Sequence, residues 1–306
     1  GKGVNAIGYD PIWYNFDQRR FQVEFFAQIK EAGFDHIRLN VHPFKHMGGA
    51  DTDHQIKDSW FSTLDWIVDN TLKNGLKIII DLHEFDPVSE DPEGNKPKYL
   101  SFWRQMSEKF ANYSNRVIFE ILNEPHAKLD AEHWTPYMLE ALALIRKNNP
   151  ERPVIVGPTQ WNNIGLTHTL ELPENDRNLI VTVHYYNPFR FTHQGATWVG
   201  EELAKTSGVT WGSDEDKENV RKEFKVAQDW AKAHNRPLYL GEFGAYDKAP
   251  MESRTKYTSF VRATAEELGW DWAYWQFDSD FIVFDVKKRE WVAPILKALI
   301  PNTPVL

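Results

Sequence analysis

The chain has 306 residues, of which 42% are hydrophobic and 26% charged, with a formal net charge of −9 at pH 7 and no cysteine. That is enough apolar material for one large core, the acidic balance disfavours a nucleic-acid backbone as partner, and disulfides, thiolate metal sites and a cysteine nucleophile are excluded. No apolar run approaches the roughly 18 residues of a membrane span, and no linker or repeat divides the chain, so a single monomeric domain over residues 1–306 is expected.

In chain order, strand and helix patterns alternate. Val4 to Gly8 reads as a strand, and a helix capped by Asp17 runs to Gly33, with Phe21, Phe25, Phe26 and Ile29 on one face. His36–Val41 is a second strand, followed by a helix from Trp60 to Gly75 and a third strand from Leu76 to His83. A helix over Lys98–Tyr113 leads to the strand Val117–Leu122, and a helix over Ala131–Asn148 leads to Val154–Gly157. Beyond a short helix, Leu179–His184 is the sixth strand, Lys217–His234 a helix, and the run from Leu238 through Glu242 the seventh strand. A helix over Glu252–Leu268, the strand Trp272–Phe277 and a helix over Trp291–Ile300 complete the order. Eight strand-helix units with right-handed crossovers predict an α/β fold, a (β/α)8 TIM barrel. The connection from Tyr185 to about Asp216 is too long for a bare loop and is expected to form binding structure over the barrel mouth.

The polar residues sort to strand ends. Asn123 and Glu124 follow the fourth strand directly, and Pro125, lacking an N–H, stops its ladder; Glu242 ends the seventh. Arg38, His83, His184, Tyr186 and Trp275 occupy the ends of strands two, three, six and eight, all on the face where such barrels carry their chemistry. A lone strand-end arginine is readily a salt-bridge partner and a lone histidine a core residue; the convergence of these positions on two carboxylates argues for a site. Paired carboxylates suit glycosidic bond hydrolysis, one protonating the leaving oxygen and the other meeting the cationic sugar carbon. Arg38 and the Tyr186 hydroxyl would keep Glu242 ionised as nucleophile, while burial and the charge of Glu242 would raise the pKa of Glu124 as acid.

Asn123-Glu124-Pro125, His184-Tyr185-Tyr186, Gly241-Glu242-Phe243-Gly244 and Trp275 resemble glycoside hydrolase family 5, a retaining (β/α)8 family of cellulases and mannanases. Phe119–His126 and Asn187–Ala196 look like the corresponding stretches of bacterial endo-β-1,4-glucanases of that family. The resemblance implies Glu124 as acid/base, Glu242 as nucleophile, Asn123 on the sugar 2-hydroxyl, Arg38 and Tyr186 on the nucleophile, and His83 and His184 in the reacting subsite. Trp275 would be the stacking floor of that subsite. The implied substrate is a β-1,4-glucan, with endo-β-1,4-mannanase or xyloglucanase activity as alternatives, no cofactor, and an extracellular or periplasmic location for what reads as a mature or trimmed domain. Three positions depart from the family pattern: Asn40, Glu84 and Tyr9-Asp10.

Among the tryptophans, Trp60, Trp66, Trp103, Trp134 and Trp230 sit on or beside helices and are expected in the core or its shell. Trp13, Trp161, Trp198 and Trp211 fall in loops after strands one, five and six and are expected to stack on sugar rings along a groove. Glu84 is expected to tune the reacting subsite without serving as an acid. The pairs His83-x-x-Asp86 and His42-x-x-x-His46 have tolerable ligand spacing, but the latter lies in a Pro/Gly-bounded loop, so no metal is expected. A catalytically silent carbohydrate-binding barrel would keep the aromatics and lose a carboxylate, and both carboxylates are present.

Overall fold

The structure, a computed structural model, describes residues 1–7 and 21–302. Eight parallel strands close into a ring in sequence order: β1 (Lys2–Ile7), β2 (His36–Val41), β3 (Lys77–Leu82), β4 (Val117–Glu120), β5 (Val154–Val156), β6 (Leu179–Tyr185), β7 (Leu238–Phe243) and β8 (Asp271–Tyr274). The ring shuts where Lys2, Gly3 and Val4 pair with Trp272, Ala273 and Tyr274. The protein is therefore the expected (β/α)8 barrel.

Strand alternation divides the side chains between two environments. Ile37, Leu39, Ile78, Ile80, Phe119, Val181, Val183, Leu238 and Leu240 join the main core shared with the helices. Ile79, Ile155, Tyr239 and Ala273 form a separate small cluster, with Ile118 and Ile180 against it, filling the inside of the ring. The outer helices include Glu24–Glu31, Asp58–Lys73, Pro92–Lys109, Ala131–Asn148, Asp214–His234, Met251–Glu267 and Ala293–Leu299. Trp60, Trp103, Trp134 and Trp230 are buried among them and Trp66 packs at the edge, as expected.

Several boundaries differ from the expectations. The first helix starts at Glu24; Gly8, Asp17, Tyr9-Asp10 and Trp13 lie outside the described residues. The helix expected at Lys98 starts at Pro92, where Asp91 accepts the Gly94 N–H at 3.2 Å. Pro92 and Gly94 look like breakers in sequence, yet they fall in the first helical turn, which has no intrahelical N–H bonds for them to break; Pro97 lies inside the helix. The fourth strand ends at Glu120, although the amides of Ile121 and Asn123 still donate to the Ile155 and Leu82 carbonyls at 3.1 and 2.9 Å. The last helix begins at Ala293 because Trp291 belongs to a small hairpin, Phe284–Asp285 with Glu290–Trp291. The long connection after β6 carries short helices at Phe189–Thr192, Thr197–Val199 and Glu201–Lys205.

Candidate active site

Two local irregularities aim the carboxylates. Along β6 and β7 the register runs Thr182 to Tyr239 and Val183 to Leu240, then jumps to His184 opposite Glu242, leaving Gly241 as the extra residue. Strict alternation would send Glu242 outward with Leu240; the one-residue bulge returns it to the barrel axis beside His184. Gly241 is needed there, because a Cβ would stand 2.4 Å from Thr182 Oγ1 and 3.0 Å from His184 Nε2. At the end of β4, Glu124 has φ of 42°, a left-handed conformation uncommon outside glycine, Asn and Asp, which turns the chain into the mouth just before Pro125.

The result is one compact group. One carboxylate oxygen each of Glu124 and Glu242 and a ring nitrogen of His184 all lie within 4.8 Å of one another. Glu242 accepts from Arg38 Nη1 at 2.7 Å and from the Tyr186 hydroxyl at 2.9 Å. His184 Nδ1 stands 2.7 Å from Glu124 Oε1 and 3.6 Å from Glu242 Oε2, while Asn162 Nδ2 meets its Nε2 at 3.2 Å. With the amide donating to Nε2, the ring proton sits on Nδ1 and points at Glu124. Asn123 accepts from Arg38 Nη2 at 2.8 Å through its Oδ1, which leaves its NH2 to donate elsewhere. His83 Nδ1 bonds Asp81 Oδ2 at 2.7 Å, making Nε2 the acceptor of that ring, and the ring stacks on Trp275 at 5.7 Å and 9°.

Burial controls the ionisation of these groups. It raises the pKa of Glu124 well above the ordinary carboxylate value, and the charge of Glu242 adds to the effect. Burial also raises Glu242, to about 7, against the opposing pull of Arg38 and the Tyr186 hydrogen bond. His184 is pushed well below its usual value by burial and then by the charge of Arg38, so it is neutral at pH 7. Burial works against the charge of Arg38 itself, but Asp81, Glu120 and Glu242 hold its pKa well above normal.

A cleft of about 790 Å³ opens over this group. His83, Glu124, Trp161, His184, Tyr186, Trp198, Glu242 and Trp275 line it, while Arg38 and Asn123 stand behind the carboxylates. Trp161 and Trp198 are about half exposed. Trp161 stacks flat on His126 at 4.9 Å within three successive left-handed residues, Gln160 to Asn162. Trp211 is a correction: it is 3% exposed and packs on Tyr257 and Phe260 at 5.4 and 5.8 Å, so it joins the long loop to the Met251–Glu267 helix and offers no face to a ligand. Sequence placed it in a loop, and only packing could show that the loop was buried there. Glu84 likewise does not line the cleft; its Oε1 accepts the Phe44 N–H at 2.7 Å and fixes the turn after β2.

Further residues of the site escaped the sequence reading. Phe85, Asp86, Phe189, His193 and Asp280 also line the cleft, and Phe189, 44% exposed, stacks on His193 at 3.8 Å. Beneath it, Asp81 and Glu120 are fully buried on Arg38. Their signal was present in the sequence: each is a lone acid inside an otherwise apolar strand, Ile78-Ile79-Ile80-Asp81-Leu82 and Val117-Ile118-Phe119-Glu120-Ile121, where a charge must find a partner. Glu124, His184 and Glu242 together present three atoms able to ligate a cation, with Arg38 contributing an opposing positive charge. Neither His83 with Asp86 nor His42 with His46 belongs to such a group among the described residues.

Comparison with known proteins agrees with this geometry. The profile of the family described as Cellulase (glycosyl hydrolase family 5) matches residues 1–280. Endoglucanase H of Acetivibrio thermocellus is 32% identical over 281 residues, covering 90% of this chain but only 30% of that longer protein. Endoglucanase C of the same organism is 26% identical over 328 residues, covering 94% of both. Among solved structures, Cel5A of Thermotoga maritima in complex with cellobiose is 39% identical with a TM-score of 0.91, and its mannotriose complex 38% with 0.90; each covers 98% of this chain and 97% of the other.

Proposed function

The chain belongs to glycosyl hydrolase family 5, and from that premise we propose that it is an endo-acting, retaining β-1,4-glucanase. The observation that carries the reading is the pair of carboxyls, one just after β4 and one on β7, which lie with His184 in a group whose ligating atoms are within 4.8 Å of one another. A retaining mechanism wants its carboxyls about 5–5.5 Å apart, whereas an inverting one leaves room for a water at about 6.5–9.5 Å.

In the proposed first step, Glu242 attacks the anomeric carbon while Glu124 protonates the departing glycosidic oxygen, forming a covalent glycosyl-enzyme with inversion. The His184 Nδ1–H bond to Glu124 Oε1 supports keeping the acidic proton on the other oxygen, and the Arg38 and Tyr186 donors support an ionised Glu242. Esterifying Glu242 removes the charge that raised Glu124, so Glu124 releases its proton to the leaving group readily and then serves as base for the water that completes a second inversion. The NH2 of Asn123 is the proposed donor to the sugar 2-hydroxyl. His83 over Trp275, with Trp161 and Trp198 farther along, would stack on and bond the pyranose rings.

The family relatives are endoglucanases, and cellobiose is bound in one of the similar structures, which supports a β-1,4-glucan substrate. The mannotriose complex of the same relative supports β-1,4-mannan as a second reading. We read the chain as one monomeric catalytic domain that meets its polymer outside the cytoplasm, since a polysaccharide of that size does not cross a membrane; among the described residues, no helix is long and apolar enough to span one. Purified protein should cut mixed-linkage β-glucan internally, with viscosity falling faster than reducing ends appear, and should release the β-anomer first by NMR. Glucomannan cleaved well with the β-glucan barely touched would replace glucan by mannan, and release of the α-anomer first would overturn retention.

A further inference from the structure

Every N–H of the Arg38 guanidinium has a protein acceptor. Nε donates to Glu120 Oε2 at 2.7 Å; Nη2 donates to Glu120 Oε1 and Asn123 Oδ1, both at 2.8 Å; Nη1 donates to Asn5 Oδ1 at 2.8 Å and Glu242 Oε1 at 2.7 Å. Five donors meet five acceptors, which is the full capacity of the group. Glu120 takes two of them side by side, the parallel fork that fixes both the position and the plane of a guanidinium. Both side chains are completely shielded from solvent, so neither partner has water as an alternative. The two other donors that matter for chemistry, toward Glu242 and Asn123, are thus aimed by a carboxylate that lies below the cleft and does not line it.

We propose that Glu120 is the positioning residue of this site: it orients Arg38 toward Glu242 and Asn123, and its own charge sets how strongly Arg38 favours ionised Glu242. The inference rests on the reading of Glu242 as nucleophile. Around Glu242 stand Arg38 from β2, Asp81 from β3, Glu124 at the end of β4, and His184 and Tyr186 from β6. Arg38 is the single cation of that set at neutral pH, because burial keeps His184 neutral. Its charge is divided between Glu242, Glu120 and Asp81, whose Oδ2 is 3.2 Å from Nη2. Removing one of the competing carboxylates leaves more of that charge to Glu242, whereas altering the reach of Glu120 turns the fork without changing the charge. The two effects are separable by substitution.

Glu120→Gln preserves shape, keeps one accepting oxygen and removes the charge. The acid limb of its kcat/KM profile should move to lower pH, by about half a unit or more, since that limb reports ionisation of the nucleophile in the free enzyme. Glu120→Asp keeps the charge but falls one methylene short. Its acid limb should stay at the wild-type pH while kcat drops about tenfold to a hundredfold, as misplacement of a catalytic group costs, with KM little changed. Both variants would be compared at matched folded fraction by circular dichroism and thermal melting. A wild-type acid limb in Glu120→Gln, or a wild-type kcat in folded Glu120→Asp, would overturn the proposal and leave Glu120 as a buried counter-ion only. Failure of the wild-type protein to cleave β-glucan or mannan would instead strike the functional reading, so the two failures are distinguishable.

Discussion

At the scale of single residues, the two carboxylates differ in their partners, and their roles follow from that difference. Glu242 receives a guanidinium and a phenol; Glu124 receives only a neutral imidazole. Glu124→Ala should lower kcat on polymer by roughly 10²–10⁴-fold, the usual worth of a general acid, but affect the first step on dinitrophenyl glycosides far less. Azide should restore that variant as the β-glycosyl azide, and Glu242→Ala as the α-glycosyl azide, because azide enters from opposite faces in the two cases; reversed products by NMR would exchange the assignments. The pH dependence follows with its sign. Activity needs Glu242 ionised, so kcat/KM rises with pH through the Glu242 titration, which burial raises to about 7, and it falls again as Glu124, raised further out of the carboxylate range, loses its proton. With an activated leaving group the alkaline limb should disappear, a point that a pH series on the two substrates checks. Most of these residues were legible in the sequence because, although each alone has a ready structural explanation, many polar side chains converge with two carboxylates on one end of the strands. Glu120 was only half legible: a lone acid inside Val117–Leu122 signals that a buried partner exists, but strand pairing decides that the partner is Arg38.

At the scale of elements, loop packing decides which tryptophans can meet a ligand. Trp198 is half exposed at the cleft and touches Tyr246 edge-on at 5.0 Å, whereas Trp211, farther along the same connection beyond the short Glu201–Lys205 helix, is buried on the Met251–Glu267 helix. Trp198→Ala should raise KM for long oligosaccharides severalfold with little change in stability, through loss of a stacking face worth about 0.5–1.5 kcal/mol. Trp211→Ala should do the reverse, lowering stability by about 3–5 kcal/mol with KM unchanged in the folded fraction. Parallel melting and kinetic measurements would test both; a KM effect at Trp211 equal to that at Trp198 would contradict the packing. The bulge at Gly241 is an element-scale feature of the same kind: Leu238–Phe243 is visible as a strand, but the extra residue that turns Glu242 inward depends on pairing with β6.

At the scale of the whole molecule, closing the ring traps polar groups that no single element could hold. His36 at the start of β2 meets the Tyr239 hydroxyl of β7 at 3.0 Å across the barrel interior. Burial, assisted by nearby cationic groups that include Lys77 and Arg38, lowers the His36 pKa to about 3. Its folded value lies below its unfolded one, so its contribution is complete above about pH 6.5 and is lost as pH falls toward 3, at up to about 1.4 kcal/mol per pH unit. Glu242 acts in the opposite sense, its raised value favouring the folded state on the acid side and losing that effect as pH rises toward 7. His36→Gln should retain a hydrogen bond to Tyr239 and flatten the loss of stability between pH 6.5 and 3. Urea titrations across that range would measure it, and an unchanged slope would show that other groups carry the acid sensitivity.

The sequence by itself determined the alternation of eight strands with helices, the barrel that this order closes into, and the strand-end positions of Glu124, Glu242, His83, His184, Tyr186 and Trp275, whereas Arg38, expected at the end of the second strand, lies within β2 and reaches the site from below. These are local properties: hydrophobic periodicity sets the elements, and the step from apolar to polar marks where each strand ends. Only the tertiary structure decided the inward turn of Glu242 at the bulge, the left-handed turn at Glu124, the buried fork of Glu120 on Arg38, and the divergence of Trp198 from Trp211. Each of these depends on contacts between residues far apart in the chain, and a side chain's direction or burial there is set by the partner that closure brings to it.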